Sequence, residues 1–209
     1  MKIIFLLLNI INVRCLNYYY HPSIHNFGNI DLGGRMHAEL SPFFTKLIDK
    51  QVYNGKDIRK DIINPYSQKK IIDFCCGTGF STSTGQLGID TSCEMLNVAR
   101  KEHCGKYFDF GNAENYGIKD DYDIVTCMFS FHEMPTYAQK LIIKNAERIA
   151  KEEIIIVDIS PDYIPSKMMI SGEPYIIEYL DSIQTTLSEF TEFIYIAGHV
   201  SIWKKKLNT

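Results

Sequence analysis

Five short apolar runs recur between residues 70 and 159, and helical stretches alternate with them. Residues 70–75, 86–90, 106–110, 122–129 and 153–159 read as strands, because each is brief, rich in Ile, Val or aromatic residues, and bounded by polar or glycine positions. Strands that alternate with helices imply a mostly parallel sheet covered on both faces, since a parallel connection must cross over the sheet. Thr91, Ser92, Cys93 and Glu94 carry a capping-box pattern, with Thr91 expected to supply the capping oxygen of a helix running to His103. Residues 136–151 place Ala138, Leu141, Ile142, Ala146 and Ile149 at helical spacing, giving one face to lay on the sheet. After an expected helix over 168–187, the tail EFTEFIYIAGHVSIWKKKL reads as two β-rich runs joined at Ala197, Gly198 and His199. The fold class that follows is α/β, a doubly wound sheet, mostly parallel, ending in a C-terminal antiparallel hairpin.

The stretch before the first strand is of a different kind. Residues 36–53 form an amphipathic helical pattern, and a second short helix over 56–63 should stop before Pro65, because the residue preceding proline resists helical backbone. We read 17–68 as an N-terminal helical lid and 69–209 as the core domain. Residues 1–16, MKIIFLLLNIINVRCL, put Lys2 ahead of an apolar run too short to span a bilayer, with Val13 and Cys15 spaced like the small residues of a cleavage site. That pattern suggests a secretory signal or plastid address. The alternative is an ordinary segment that folds onto the body of a cytoplasmic protein.

Charge and cysteine usage narrow the chemistry. With 22 Lys and Arg against 25 Asp and Glu, no basic field is available to hold a phosphate backbone, so nucleic acid is not the expected partner. The six cysteines show neither paired spacing nor a rhythm with histidine, which excludes a disulfide framework or a zinc site as the expectation; most of them should be small core residues.

Ligands of an open α/β sheet sit beyond the carboxyl ends of its strands. After the first strand comes Cys76-Gly77-Thr78-Gly79, where missing β-carbons admit a ligand close to the backbone. Asp90 ends the second strand, placed to accept from ribose hydroxyls. Gly111-Asn112-Ala113 follows the third, and Met128-Phe129-Ser130-Phe131-His132-Glu133 closes the fourth. A dinucleotide fingerprint fails at Thr82, where its third glycine would fall, and no Gly-Lys-Ser/Thr follows for a phosphate loop.

Taken in order, IIDFCCGTG, GIDTSCEMLNVAR, FGNAENYG, YDIVTCMFSFHEMP and ERIAKEEIIIVDIS resemble the motifs of the class I S-adenosylmethionine-dependent methyltransferases, in particular the small-molecule group that includes quinone and sterol methyltransferases. The resemblance implies a Rossmann-like fold, S-adenosylmethionine as cofactor, and a small-molecule methyl acceptor, with O or C as the attacked atom rather than an exocyclic N. It implies further that Asp73, Gly77 and Gly79 shape the pocket for the methionine part and that Thr82 adds a hydroxyl there. Asp90 and Thr91 would serve the ribose side, Asn112 and Ala113 the adenine edge, and Met128 the space under the sulfonium. Methyl transfer is a direct displacement that requires no metal, so none is expected; alignment does most of the work and a base assists a protonated acceptor. His132 is the candidate base and Glu133 its orienting partner. The acceptor side should draw on His25, Arg35 and His37, with Tyr18, Tyr19, Tyr20, Phe27, Phe43 and Tyr175 suited to a flat or apolar acceptor.

One feature departs from that family. Only nine residues, 80–88, separate Gly79 from Ile89, whereas a parallel crossover usually takes a dozen or more and a helix. Nine extended residues reach ~30 Å, enough to return the chain. We therefore expect a truncated first crossover, with a vestigial helical turn at 80–84. A stunted helix end would offer fewer amide donors to the methionine carboxylate. That leaves two competing readings, a methyltransferase-like binding or regulatory protein without catalysis and, on the shared strand-turn geometry, a nicotinamide-dependent dehydrogenase.

Overall fold

The computed structural model describes residues 18–19, 24–26, 28–29 and 31–207. Residues 1–16, with the targeting expectation that rests on them, lie outside the described residues, as do Tyr20 and Phe27. Helix α1 (Asp31–Gln51) and helix α2 (Ile58–Ile63) precede the sheet. Then follow β1 (Ile71–Phe74), β2 (Leu87–Asp90), α3 (Cys93–Glu102), β3 (Tyr107–Phe110), β4 (Tyr122–Met128), α4 (Thr136–Ile149), β5 (Ala150–Ile159), α5 (Lys167–Gly172), α6 (Ile176–Thr186), β6 (Thr191–Ile196) and β7 (Val200–Lys206). The strands form one sheet in the order β3-β2-β1-β4-β5-β7-β6. The first five are parallel, and β7 pairs antiparallel with both β5 and β6, so the expected doubly wound sheet with a terminal hairpin is what forms.

Burial explains why the central strands read as unbroken apolar runs. Ile72, Phe74, Val125, Cys127, Ile154 and Ile156 face Ala138, Ile142 and Ile149 of α4 and Ile176, Tyr179 and Ile183 of α6. Their neighbours Ile71, Ile124, Met128, Ile155 and Val157 turn to the other side and meet Ile58, Ile62 and Ile63 of α2. Strands buried on both faces need no polar alternation. Of the residues read as a lid, α1 lies over the carboxyl ends of the strands, while α2 packs into this core.

Several boundaries differ from expectation, each for a local reason. Helix α1 begins at Asp31, not at residue 36, running through a glycine pair that reads as loop; Gly34 is buried where a β-carbon would lie 2.7 Å from the Asn29 carbonyl oxygen. The cap of α3 is Ser92, whose Oγ accepts from the Met95 amide at 3.2 Å, and not Thr91. The long helix expected over 168–187 is two helices, because Pro174 at the break cannot donate an amide to a continuing helix. Cys76 and Cys127 are buried as expected, but Cys93 and Cys104 are exposed.

The first crossover is short and contains no helix, not even the vestigial turn expected at 80–84. Side chains replace it. Asp73, 1% exposed on β1, accepts from Ser81 Oγ, Thr82 Oγ1 and Thr126 Oγ1, each at 2.7 Å. Lys106 Nζ donates to the Gly79 carbonyl at 2.8 Å, and the Gln86 side chain bridges the Ile71 amide and the Lys69 carbonyl. Burial holds the Asp73 carboxyl above its usual range, opposed by the three hydroxyls and by Lys106. An amide at this position cannot accept from all three hydroxyls, so Asp73→Asn should lower stability by about 3 kcal/mol, read as an earlier urea midpoint with unchanged slope.

Candidate active site

Parallel pairing of β1 with β4 aligns Phe74 with Cys127, so the turn from Cys75 to Gly77 lies beside Met128 and Phe129 at the point where the strand order reverses. Above this point, beneath α1, is a cavity of about 780 Å³. Gly77, Asp90, Thr91, Asn112, Ala113, Met128, His132 and Glu133 all line it. Three residues expected there do not. Asp73 and Thr82 are turned inward and spent on each other, and Gly79 packs against Phe108 and His103: its φ is +84°, and an added β-carbon would lie 2.5 Å from the Phe108 ring. The Thr82 hydroxyl therefore serves the crossover rather than the cavity.

At the glycine turn the backbone is left-handed at Gly77, φ +51°, and a β-carbon there would meet nothing within 4 Å. Open space over a bare backbone is where a ligand can approach closely. Beside it, Asp90 is buried with Oδ2 accepting from the Gly77 amide and Oδ1 from the Ser92 amide, both at 2.8 Å. Burial pushes its pKa up to about 6, with those two amides pulling the other way. Each carboxylate oxygen keeps a lone pair for a ligand hydroxyl. Asn112 Oδ1 accepts from the Glu114 amide at 2.9 Å, which fixes the turn after β3, and Asn145 Nδ2 donates to the Ala113 carbonyl at 2.8 Å. Tyr18 closes this end, its hydroxyl on Glu114 Oε1 at 2.9 Å.

The opposite end is polar and charged. His132 Nδ1 lies 2.6 Å from Asp158 Oδ1, at the end of β5. Asp158 is fully buried, and its Oδ2 also accepts from the Phe131 and His132 amides while Oδ1 accepts from the Ile159 amide. The orienting partner of His132 is thus Asp158 and not Glu133, whose carboxylate stands 3.9 Å from His132 Nε2. Sequence reasoning missed Asp158 because it reads as one more residue in an apolar strand; an isolated acid at the end of such a run was the available signal. Burial acts to lower the His132 pKa, but the Asp158 carboxylate outweighs it and raises the pKa to about 9.

Glu133 pairs instead with His25, Nε2 to Oε2 3.5 Å, and His25 Nδ1 lies 2.8 Å from Glu173 Oε1. Burial opposes a charge on His25, yet the two carboxylates raise its pKa to about 10. The nitrogen and two carboxylates lie within 4.8 Å of one another, and the imidazolium itself is the cation among them. Glu133 answers in kind: burial would raise it, but His25 and then His132 bring it down to about 2. His37, its ring centroid 3.8 Å from that of His25, is lowered to about 4 by burial and by that neighbouring charge. His25 and His37 line the cavity, as do Tyr18 and Tyr19; Arg35 and Phe43 are exposed on α1 away from it, and Tyr175 is not part of the lining.

Residues 71–153, from β1 into β5, match the sequence model of the methyltransferase domain family. The chain carries a methyltransferase domain. The class I, S-adenosylmethionine-dependent reading of its motifs therefore stands, cofactor included, and the dehydrogenase reading falls. Solved structures agree on the fold. A TehB-like SAM-dependent methyltransferase from Corynebacterium glutamicum is 14% identical, with 82% of this chain and 99% of that one covered at a TM-score of 0.56. A SAM-dependent methyltransferase from Thermotoga maritima, described as a possible histamine N-methyltransferase, is 14% identical over 82% and 97% at 0.55. Magnesium protoporphyrin IX methyltransferase from Synechocystis, solved with bound SAH, is 13% identical over 94% and 100% at 0.51. No curated protein sequence matches the chain. The cavity of the methyltransferase domain suits the cofactor on its own geometry, with a bare backbone at Gly77, a carboxylate at Asp90 and apolar Met95, Met128 and Ile142 around them.

Proposed function

We propose that this chain methylates a small molecule bearing a hydroxyl or an acidic carbon, seated between α1 and His132. The observation that carries the reading is that one cavity holds both ends of the required geometry, the Gly77–Asp90 turn at one side and the His132–Asp158 pair at the other. Its volume is that of a small-ligand site, and Leu40, Phe44 and Ile48 of α1, with Val52 just beyond the helix, give it apolar wall. When bound, the cofactor supplies the methyl group. The protein aligns and deprotonates: Asp90 fixes the ribose side, Met128 packs from below, and His132 Nε2, with Nδ1 committed to Asp158, is the nitrogen free to take a proton from the acceptor. Glu133, paired with His25, ties the lid to the segment after β4.

The proposal is tested by a transfer assay with labelled cofactor against size-matched panels of hydroxyl, acidic-carbon and amine compounds. Product on hydroxyl or carbon acceptors supports it. Product on amines alone, or none with a chain that binds S-adenosylhomocysteine, overturns it, the latter in favour of a binding protein without catalysis.

A further inference from the structure

The shortened crossover raises a question of charge. A methionine moiety brings a carboxylate to the glycine turn, where a helix N-terminus would ordinarily meet it, and here no helix follows β1. Two of the turn's own donors are engaged as well: the Gly77 amide donates to Asp90 Oδ2 and the Gly79 amide to the Cys76 carbonyl, both at 2.8 Å. Another donor has to stand in.

We propose that Arg59, the first residue after the start of α2, binds the carboxylate of the cofactor's methionine moiety in place of the missing helix end. This assignment rests on the cofactor-binding part of the proposed function. Among the described residues that line the cavity, Arg59 is the only arginine or lysine. Its guanidinium lies over the Phe129 ring, 4.8 Å from the centroid, and Phe129 directly follows β4, next to the Cys75–Gly77 turn through the β1–β4 pairing. Helix α1 spans the same turn, with Ser41 Oγ 3.4 Å from Thr78 Oγ1, and further along it Asp49 Oδ1 accepts from Arg59 Nη1 at 2.8 Å. Asp49 and Phe129 therefore fix the plane of the guanidinium. One of its five N–H donors is used within the described residues, and the others are left for a bidentate contact with a carboxylate, which the planar fork matches better than an ammonium does. The only guanidinium or ammonium in the described wall thus stands, already oriented, beside the turn that has lost its helix, while the imidazolium rings of His25 and His132 are committed to Glu133, Glu173 and Asp158.

The test compares two ligands by calorimetry, S-adenosylhomocysteine and 5′-methylthioadenosine, which shares the nucleoside and sulfur but has no amino-acid carboxylate. Arg59→Ala should weaken S-adenosylhomocysteine about 30-fold and leave methylthioadenosine within about twofold, with Arg59→Lys falling between. Thermal melts of each variant check the fold, and if Arg59→Ala does not fold, the Arg59→Lys ratio of the two affinities decides. Equal loss for both ligands, or no loss for either, overturns the assignment; in the second case the guanidinium is left to an acceptor. A wild-type chain that binds neither ligand overturns the cofactor reading itself, a result distinct from failure of Arg59.

Discussion

Replacing Asp90 by alanine should weaken S-adenosylhomocysteine by at least about 100-fold, the sum of two losses of charge-assisted hydrogen bonding. The first is direct, since the ribose hydroxyls lose their acceptor. The second is indirect: Asp90 Oδ2 holds the Gly77 amide and Oδ1 the Ser92 amide, so the glycine turn and the entry to α3 both lose their anchor. Asp90→Asn should do little better, because its NH₂ must face one of those two amide donors. Proton linkage gives an independent check. With its pKa raised to about 6, first by burial, Asp90 is ionised above that pH and protonated below it. Wild-type affinity for S-adenosylhomocysteine should therefore fall as pH drops from 7 to 5, and residual binding by Asp90→Ala should lack that dependence. Calorimetry across this range reads both. A variant that binds as well as wild type would remove Asp90 from the site.

Much of the architecture was legible because local patterns and tertiary structure agree. The runs that became β1, β4 and β5 are apolar on both faces, and only a covered parallel sheet calls for that. The Ala197–His199 signal gives the turn between β6 and β7. Site positions were legible to the extent that strand ends define them, hence Gly77, Asp90, Asn112, Ala113, Met128 and His132 all reach the cavity.

What was not legible depends on side-chain direction. Asp73, Gly79 and Thr82 sit in the right motif but serve the crossover, a consequence of the lost helix: Thr82 and Ser81 turn in to satisfy Asp73, and Phe80 stacks edge-on against His103 at 4.9 Å. Thr91 precedes the cap that Ser92 provides, and capping patterns one residue apart cannot be told apart from spacing alone. Asp158 carries only the weak signal of a lone acid ending an apolar strand and Arg59 has none inside its short helix; only the closing of the sheet sets Asp158 behind His132 and brings Arg59 to the cavity.

His132→Gln should lower kcat by a factor of about 10² to 10⁴, the range for loss of a general base, while affinity for S-adenosylhomocysteine stays within about threefold. The pH profile separates a base from a merely structural histidine. Burial lowers the His132 pKa, but Asp158, then Glu133 and Glu173, raise it to about 9, so at neutral pH the ring is mostly protonated and the competent fraction is small. Rate with the wild-type chain should therefore climb about tenfold per pH unit below 9 and level off above it, and the His132→Gln profile should be flat. Stability runs the opposite way. The unfolded ring titrates near 6.5, so the extra stability of the charged pair is fully present below that pH and is lost as pH rises through about 9. Melting temperature should fall over this interval in the wild type and less in His132→Gln, with His25, raised to about 10, contributing the remaining slope at the upper end. Asp158→Asn provides the last discriminant. Turned one way, its NH₂ opposes the Phe131 and His132 amides; turned the other, it opposes the Ile159 amide and donates to His132 Nδ1, moving the ring proton to Nε2 and removing the lone pair that faces the cavity. The second orientation abolishes activity; the first leaves Nδ1–H on the remaining oxygen and costs stability instead, so an Asp158→Asn chain that is both fully active and as stable as the wild type would show that the Asp158 carboxylate does not position His132.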